Sequence, residues 1–185
     1  MKLLSLCASI VVFGLFSSFS GAQELERFVR YSQGDGEIHW GMVHGDEVYQ
    51  LAGAPYETME HTGTKFMRDE LRMEAPVDPK LVFMTALNFR SHITGEPAEY
   101  PGLFIVPASS IVGPEDAIVR PAESENLHYE AEMAVVIGKR AENVTVDEAH
   151  EYIFGVTAGN DVSERAWQSG DIQWVRAKGS KGFNA

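Results

Sequence analysis

Two glutamates stand in the middle of one of the most apolar segments of the chain, residues 129–138, which read YEAEMAVVIG. Because side chains along a strand alternate between faces, Glu130 and Glu132 would share one face, about 7 Å apart. Two carboxylates on a strand that enters a core repel each other and lose hydration, and a divalent cation is the simplest compensation. The segment therefore predicts a metal site. The alternative is that both glutamates face solvent on a half-exposed strand.

A third carboxylate, Asp161, ends the next apolar run, residues 152–161. Three oxygen donors with no cysteine nearby favour a hard ion, with Mg²⁺ first and Ca²⁺ or Mn²⁺ after it. His128 falls on the same face as the two glutamates and is a further candidate ligand. A hydrogen-bonded histidine at the start of a strand is the more ordinary interpretation of His128.

His92 lies on a polar loop, residues 88–101, that follows a predicted buried strand. Loops held by a rigid sheet often carry catalytic bases, and Glu96 is close enough in sequence to orient the His92 imidazole. The pattern indicates a general base, and a solvated loop histidine is the alternative.

Three cationic or amide side chains follow Asp161. Arg165 and Gln168 are three residues apart, so they share a face of a predicted helix, and Lys178 comes shortly after them. Together these groups could stabilise an oxyanion or an enolate beside a metal. The alternative is an ordinary polar surface.

The elements that must position these residues begin with a small antiparallel meander. Its strands are predicted at residues 27–31, 38–43 and 48–51. Residues 52–78 read as a polar loop with a short helix near residues 66–71, and Pro76 and Pro79 mark a domain boundary.

Beyond this boundary the sequence predicts further short strands and two helices. The strands are predicted at residues 81–84, 103–106 and 117–120 and along the Glu130 and Asp161 segments. Thr145 is the predicted N-cap of a helix over residues 146–152, and Ser163 of a helix that ends near residue 168. The expected fold class is mixed α+β and mostly β.

The first 22 residues read as a secretory signal peptide. Lys2 precedes an apolar run over residues 3–16, and the small residues SGA at positions 20–22 favour cleavage there. An uncleaved membrane anchor is the alternative. Cys7, the only cysteine, lies inside this run, so the mature chain has no disulfide or thiolate chemistry. We expect a secreted or periplasmic protein without stable membrane insertion after cleavage.

The chain is strongly acidic, with a formal net charge of −12 over 185 residues. Nucleic acids and anionic membrane surfaces attract basic proteins, so this charge argues against either as a partner.

From residue 27 to about residue 183 the chain resembles the fumarylacetoacetate hydrolase family. The resemblance rests on four motifs, which are NFRSH at residues 88–92, YEAE at residues 129–132, NDVSER at residues 160–165 and QWVRAKG at residues 173–179. In this order along the chain, the motifs carry a candidate base on a loop, two paired carboxylates, a single carboxylate, a helix with hydrogen-bond donors and a lysine.

The resemblance implies a β-roll core around Mg²⁺ or Ca²⁺, usually in a homodimer, behind a small antiparallel β domain. The metal ligands that it implies are Glu130, Glu132 and Asp161. The catalytic residues that it implies are His92 as the base with Glu96 beside it, and Arg165, Gln168 and Lys178 as the stabilisers of an oxyanion or enolate. Family members act on 1,3-dicarbonyl or 2-oxo acids by C–C hydrolysis, decarboxylation or keto–enol isomerisation, which implies a catabolic hydrolase, isomerase or lyase with a small oxo acid as substrate.

Two departures from the family pattern qualify this expectation. Gly95 stands where many members carry the glutamate partner of the histidine, and the chain stops at Ala185, whereas the family domain continues. The resemblance therefore implies a C-terminally truncated catalytic domain with an incomplete β-roll. The expected division is a signal peptide over residues 1–22, a small N-terminal β domain over residues 23–78 and a partial catalytic domain over residues 79–185.

Two other functions stay open on the sequence. The chain could be a truncated, non-catalytic remnant that acts as a metal-binding or small-molecule-binding module. A purely structural β domain is the third interpretation.

Overall fold

The computed structural model describes residues 25–34 and 36–185. The predicted signal peptide over residues 1–22 lies outside these residues. No helix in the described part of the chain has the length and apolar character needed to cross a membrane. The fold is mostly β with few helices, and its first unit is an antiparallel sheet, which confirms the expected fold class.

The N-terminal sheet has five strands in the order β4-β3-β2-β1-β5. These are β1 (Phe28–Ser32), β2 (Ile38–His44), β3 (Glu47–Leu51), β4 (His61–Met67) and β5 (Arg72–Met73). All of its pairings are antiparallel. Tyr31, Val48 and Leu71 form its buried core. The predicted meander is therefore present as β1 to β3.

Residues 52–78 differ from the sequence prediction of a polar loop with a short helix. They contain β4, which pairs with β3, and β5, which pairs with β1. The predicted helix is only the three-residue 3₁₀ turn Arg68–Glu70, because the residues before it, in β4, pair with β3. Sheet pairing thus outweighs the local helical preference.

The second part of the chain is built from two longer strand pairs and one short pair. Its elements are β6 (Val82–Ala86), β7 (Gly102–Val106), β8 (Leu127–His128), β9 (Ala131–Ile137), β10 (Ile153–Asn160), β11 (Ser163–Glu164), α1 (Arg165–Gly170) and α2 (Val175–Gly179). β6 pairs with β7, β9 with β10 and β8 with β11, all antiparallel. The polar residues of interest lie on or directly beside β9 and β10, on α1 and α2, and on the loop between β6 and β7.

Three local predictions for this part are wrong. Residues 117–120 form no strand, and the predicted helix over residues 146–152 shrinks to the 3₁₀ turn Ala149–Tyr152. The Thr145 hydroxyl donates to Glu148 rather than accepting from a helix N–H. Ser163 belongs to β11, and the N-cap of α1 is Glu164, whose side chain accepts from the Trp167 N–H.

Aromatic rings join the N-terminal sheet to β10. Phe154 lies 5.4 Å from Phe28 and 5.7 Å from Tyr56, measured between ring centroids, and Tyr56 lies 5.8 Å from Trp40. Aromatic pairs at such separations contribute about 0.5–1.5 kcal/mol each beyond their buried area. This chain of rings therefore fixes the N-terminal sheet against the strand that leads to Asp161.

Apolar side chains cover the outer faces of β6–β7 and β9–β10. Phe83 is 61 % exposed, Leu103 63 % and Met133 69 %, although the sequence predicts residues 81–84 as a buried strand. Within residues 25–34 and 36–185 no element covers these faces. The β core is open on this side in the described part of the chain.

Gly179, the last residue of α2, lies against β7. A Cβ at this position would stand 2.5 Å from the Pro107 Cδ, while a Cβ at Gly170, the last residue of α1, would meet open space. We expect Gly179→Ala to lower the free energy of unfolding by about 1–3 kcal/mol, because overpacking forces the backbone to shift. Urea unfolding of both variants measures this.

The matched control is Gly170→Ala, which should be neutral or stabilising by up to about 1 kcal/mol through the unfolded chain. Equal stabilities for the two variants would contradict the close packing of α2 on β7.

Candidate active site

The pairing of β9 with β10 brings two of the acidic residues together. Ala131 pairs with Asn160, and one step further the Asp161 N–H donates to the Glu130 carbonyl at 2.9 Å. The Asn160 side chain accepts from the Glu130 N–H at 3.0 Å, which fixes this end of the ladder. Glu130 and Asp161 are thus cross-strand neighbours, although they are far apart in sequence.

The Lys178 ammonium lies between these two carboxylates. Its Nζ is 2.6 Å from the Glu130 Oε2 and 2.6 Å from the Asp161 Oδ2, and the side chain is only 4 % exposed. The Phe104 ring of β7 covers Nζ with its centroid 5.6 Å away. Asn184 holds the end of α2 by donating to the Lys178 carbonyl at 3.1 Å. Lys178 is therefore a buried and firmly positioned cation.

Arg165, at the start of α1, occupies the other oxygen of Glu130. Its Nη2 donates to the Glu130 Oε1, and its Nη1 donates to the Gln168 Oε1 at 2.7 Å. Its Nε donates to the His128 Nδ1 at 3.5 Å. Glu130 thus has a cation on each carboxylate oxygen, while Gln168 and His128 orient the guanidinium.

The two carboxylates differ in how firmly they hold a proton. Burial by itself raises the pKa of Glu130, but hydrogen bonds and charge from Lys178 and Arg165 outweigh burial and lower it to about 2. Burial raises the pKa of Asp161 to about 6 in spite of Lys178, with the charge of Glu130 adding to the rise. The pair therefore contains one firmly ionised carboxylate and one whose charge depends on a neighbouring cation.

Glu164 is a positioning residue that the sequence analysis missed. It is fully buried, and its Oε1 accepts from the N–H groups of Glu125 and Asn126 while its Oε2 accepts from the Trp167 N–H at 2.6 Å. Burial raises its pKa, but these backbone donors prevail and the pKa stays below its ordinary value. Glu164 thus fixes the start of α1, from which Arg165 projects. An acidic residue directly before a helix was the available signal.

The remaining predicted site residues lie around this cluster. Glu132 is half-buried opposite Gly159, and its Oε2 accepts from the Asn88 side chain at 3.3 Å, which brings the loop after β6 to the glutamate strand. His92 lies on the exposed 3₁₀ turn Arg90–His92 of that loop. Within the described residues, no hydrogen bond or ion pair joins His92 to Glu96. The structure therefore brings Glu130, Asp161, Arg165, Gln168 and Lys178 together and leaves Glu132, His92 and Glu96 at the margin.

The carboxylates fit a divalent cation in part. Residues 25–34 and 36–185 contain no ready group of three or more histidine, cysteine or acidic side chains of the kind that holds a metal. Even so, the Asp161 Oδ1 is buried without a hydrogen-bond partner, and Lys178 already contacts both Asp161 and Glu130 as a cation. An orphaned carboxylate oxygen beside a second carboxylate is a donor set that hard cations prefer. Glu132 as a third ligand stays a prediction.

Comparison with known proteins gives two family models along the chain. Residues 81–185 match the model described as fumarylacetoacetate (FAA) hydrolase C-terminal, and residues 26–76 match the model described as Rv2993c-like, N-terminal. All predicted site residues lie in the first of these spans.

Several relatives cover most of the described chain. Protein Rv2993c of Mycobacterium tuberculosis is 35 % identical over 158 residues, which are 84 % of this chain and 59 % of that protein. The mitochondrial oxaloacetate tautomerase fahd2 of Xenopus laevis is 32 % identical over 140 residues, or 72 % of this chain and 43 % of that protein. A solved structure of 2-hydroxyhepta-2,4-diene-1,7-dioate isomerase from Mycobacterium marinum superposes with a TM-score of 0.78 at 32 % identity, covering 86 % of this chain and 63 % of that one. The chain therefore spans about three fifths or less of these relatives.

Removal of the Glu164 charge should test its role in holding α1. We expect Glu164→Gln to lower the melting temperature by roughly 5 °C or more, because an amide offers one acceptor oxygen where the carboxylate offers two. Glu148→Gln is the matched control, since Glu148 accepts from the Thr145 N–H in the same way on an exposed turn and should change little.

The same substitution should alter the pH dependence of stability. The folded pKa of Glu164 lies below its ordinary value of 4.5, so the stability that it contributes is present above that value and is lost as the pH falls below it. Wild-type unfolding free energy should therefore decline from pH 5 towards pH 3 more steeply than that of Glu164→Gln. Parallel curves in denaturant titrations would exclude this role.

Proposed function

This chain belongs to the fumarylacetoacetate hydrolase family, and we propose that it is a metal-dependent hydrolase, isomerase or decarboxylase of 2-oxo acids or 1,3-dicarbonyl compounds. Homologues in this family include hydrolases, isomerases and oxaloacetate tautomerases. Because the chain spans only part of the length of its relatives, their activities come to it as a proposal. The observation that carries the proposal is the buried cluster of Glu130, Asp161, Lys178 and Arg165.

A divalent cation at this cluster would act as a Lewis acid that withdraws charge from a chelated carbonyl as an enolate forms. Glu130, Glu132 and Asp161 are the side chains that would hold the cation, and their oxygens favour Mg²⁺, with Mn²⁺ or Ca²⁺ as substitutes. The metal identity and the ligand set are part of the proposal.

The cationic side chains suit an anionic oxo acid. In a chain with a net charge of −12, Arg165 and Lys178 are concentrated beside the two carboxylates at one buried place. Arg165, with Gln168 beside it, and Lys178 would donate to the oxyanion or enolate oxygen, where preorganised donors in a buried site are most effective.

His92 is the proposed base. It stands on the loop whose first residues reach Glu132 through Asn88, and its exposed imidazole leaves it free to approach a bound substrate. His92 would take a proton from the substrate carbon or from water, and Glu96, in the same loop, would orient the ring. Catalytic hydrogen bonds of this kind tighten when substrate binds.

A binding module without turnover is the second candidate. Its specific support is that Lys178 and Arg165 already neutralise Glu130 and Asp161, so the buried charges are compensated within the chain itself. Such a module would bind a divalent cation or an oxo acid without turnover. Proton exchange at the substrate carbon separates the two candidates.

Exchange of the pyruvate methyl protons in D₂O, followed by NMR, tests the enolisation that hydrolysis, decarboxylation and isomerisation share. We expect exchange that requires Mg²⁺ or Mn²⁺ and stops with EDTA. His92→Ala should slow the exchange by about 10²–10⁴-fold, because a positioned base contributes about that much. His150→Ala, which alters another exposed histidine on a 3₁₀ turn, is the control and should leave the rate unchanged.

Calorimetric titration with Mg²⁺ tests the ligand assignment. Glu132→Gln should weaken binding by more than about tenfold, because even partners beyond the direct ligands cost about 10–100-fold when they are lost. Glu123→Gln, a change at an exposed glutamate on the loop before β8, is the control. An unaltered affinity in Glu132→Gln would remove Glu132 from the ligand set.

A further inference from the structure

The place between Glu130 and Asp161 already holds a cation, the Lys178 ammonium. We propose that Lys178 is the internal counterion of the metal-free site, and that a divalent cation displaces its ammonium, so that metal loading frees Lys178 for the substrate. This inference rests on the proposed function and concerns how its site is switched on.

Each oxygen of the Glu130 carboxylate already contacts a cationic side chain. Lys178 contacts the Glu130 Oε2, and Arg165 contacts the Oε1. Asp161 offers its buried, unpartnered Oδ1, while its Oδ2 contacts Lys178 at 2.6 Å. A divalent cation that took the Glu130 Oε2 and the Asp161 Oδ2 would compete with Nζ for the same two oxygens, because cation–oxygen distances of about 2.0–2.6 Å are shorter than the 2.6 Å contacts of Nζ or equal to them.

Lys178 is the cation that has to leave, because it alone contacts both carboxylates. Arg165 contacts only Glu130 of the two and is held by Gln168 and His128, and its helix is fixed by Glu164. The Lys178 side chain is a flexible stem with a single charged head, whereas the guanidinium of Arg165 is a planar group with several donors engaged, so Lys178 is the more easily displaced of the two.

Charge balance points the same way. Glu130, Asp161 and the third proposed ligand, Glu132, carry three formal negative charges, and Arg165 and Lys178 carry two positive charges, so the site without a metal has one excess negative charge. A divalent cation added to this site would give one excess positive charge in a partly buried place, which repels the nearest mobile cation. The ammonium stands over the Phe104 ring in the structure, and once displaced from the carboxylates it would need a new anionic partner, which the carboxylate or the enolate oxygen of an oxo acid would supply.

Chemical labelling of lysines reports the release directly in the wild-type mature chain. The probe is reductive methylation with and without saturating Mn²⁺, read by mass spectrometry. We expect Lys178 to be protected in the metal-free protein and labelled at least several-fold more with Mn²⁺. Exposed Lys181, three residues further along the chain, is the internal control and should label equally in both states. Bound Mn²⁺, monitored by its EPR signal, with Lys178 still protected overturns the inference and leaves the proposed function intact.

Metal affinity of two variants gives an independent reading. Lys178→Met should bind Mn²⁺ at least about tenfold more tightly than the wild type, because the competitor is gone. Arg165→Met removes an equal charge from Glu130 alone, so it should gain clearly less. An equal gain in Mn²⁺ affinity in both variants would mean that loss of any nearby positive charge is sufficient, and it would overturn the displacement of Lys178. Absence of Mn²⁺ binding in the wild type and in both variants would overturn the proposed function together with this inference. A variant that does not fold leaves the wild-type labelling as the deciding result.

Discussion

The structure of the site depends on the need to neutralise two carboxylates that antiparallel pairing places side by side. The register of β9 with β10 sets Glu130 opposite Asp161, and neither charge can be buried at low cost unless cations come with it. Lys178 and Arg165 meet this need from two short helices. Because breaking one partner of a buried pair leaves an uncompensated charge, the four residues form one unit rather than separate contacts.

Other contacts in the second part of the chain position these two cationic side chains. Glu164 gathers backbone N–H groups from the loop before β8 and from α1, which places Arg165 beside Glu130. Gly179 and Asn184 hold α2 against β7 and against residues 110–112, which directs Lys178 inward. Packing of Phe104 on Trp174 closes the same side, with ring centroids 5.3 Å apart. Short helices of this kind are stable only through such tertiary contacts.

The part of the proposed site that carries His92 has fewer contacts with the rest of the fold. The loop that carries His92 reaches the cluster through one weak contact between Asn88 and Glu132, and the outer faces of β6–β7 and β9–β10 stay apolar and open within the described residues. The chain also covers only 59 % of the Rv2993c relative. The cluster of charged side chains around Glu130 is thus held by many contacts. The loop with His92, the proposed base, is held by fewer.

The sequence by itself determined which residue types could do chemistry and the class of fold. Strand alternation placed Glu130 and Glu132 on one face, and four short motifs indicated the family, which the comparisons show. Tertiary structure alone decided that Lys178 lies between Glu130 and Asp161, that Glu164 also accepts from the Asn126 N–H, and that residues 52–78 contain β4 rather than a loop. The physical reason is range. Alternation and capping are local, whereas these contacts join groups 10 to 48 residues apart, and no periodicity along the chain records a partner at that distance.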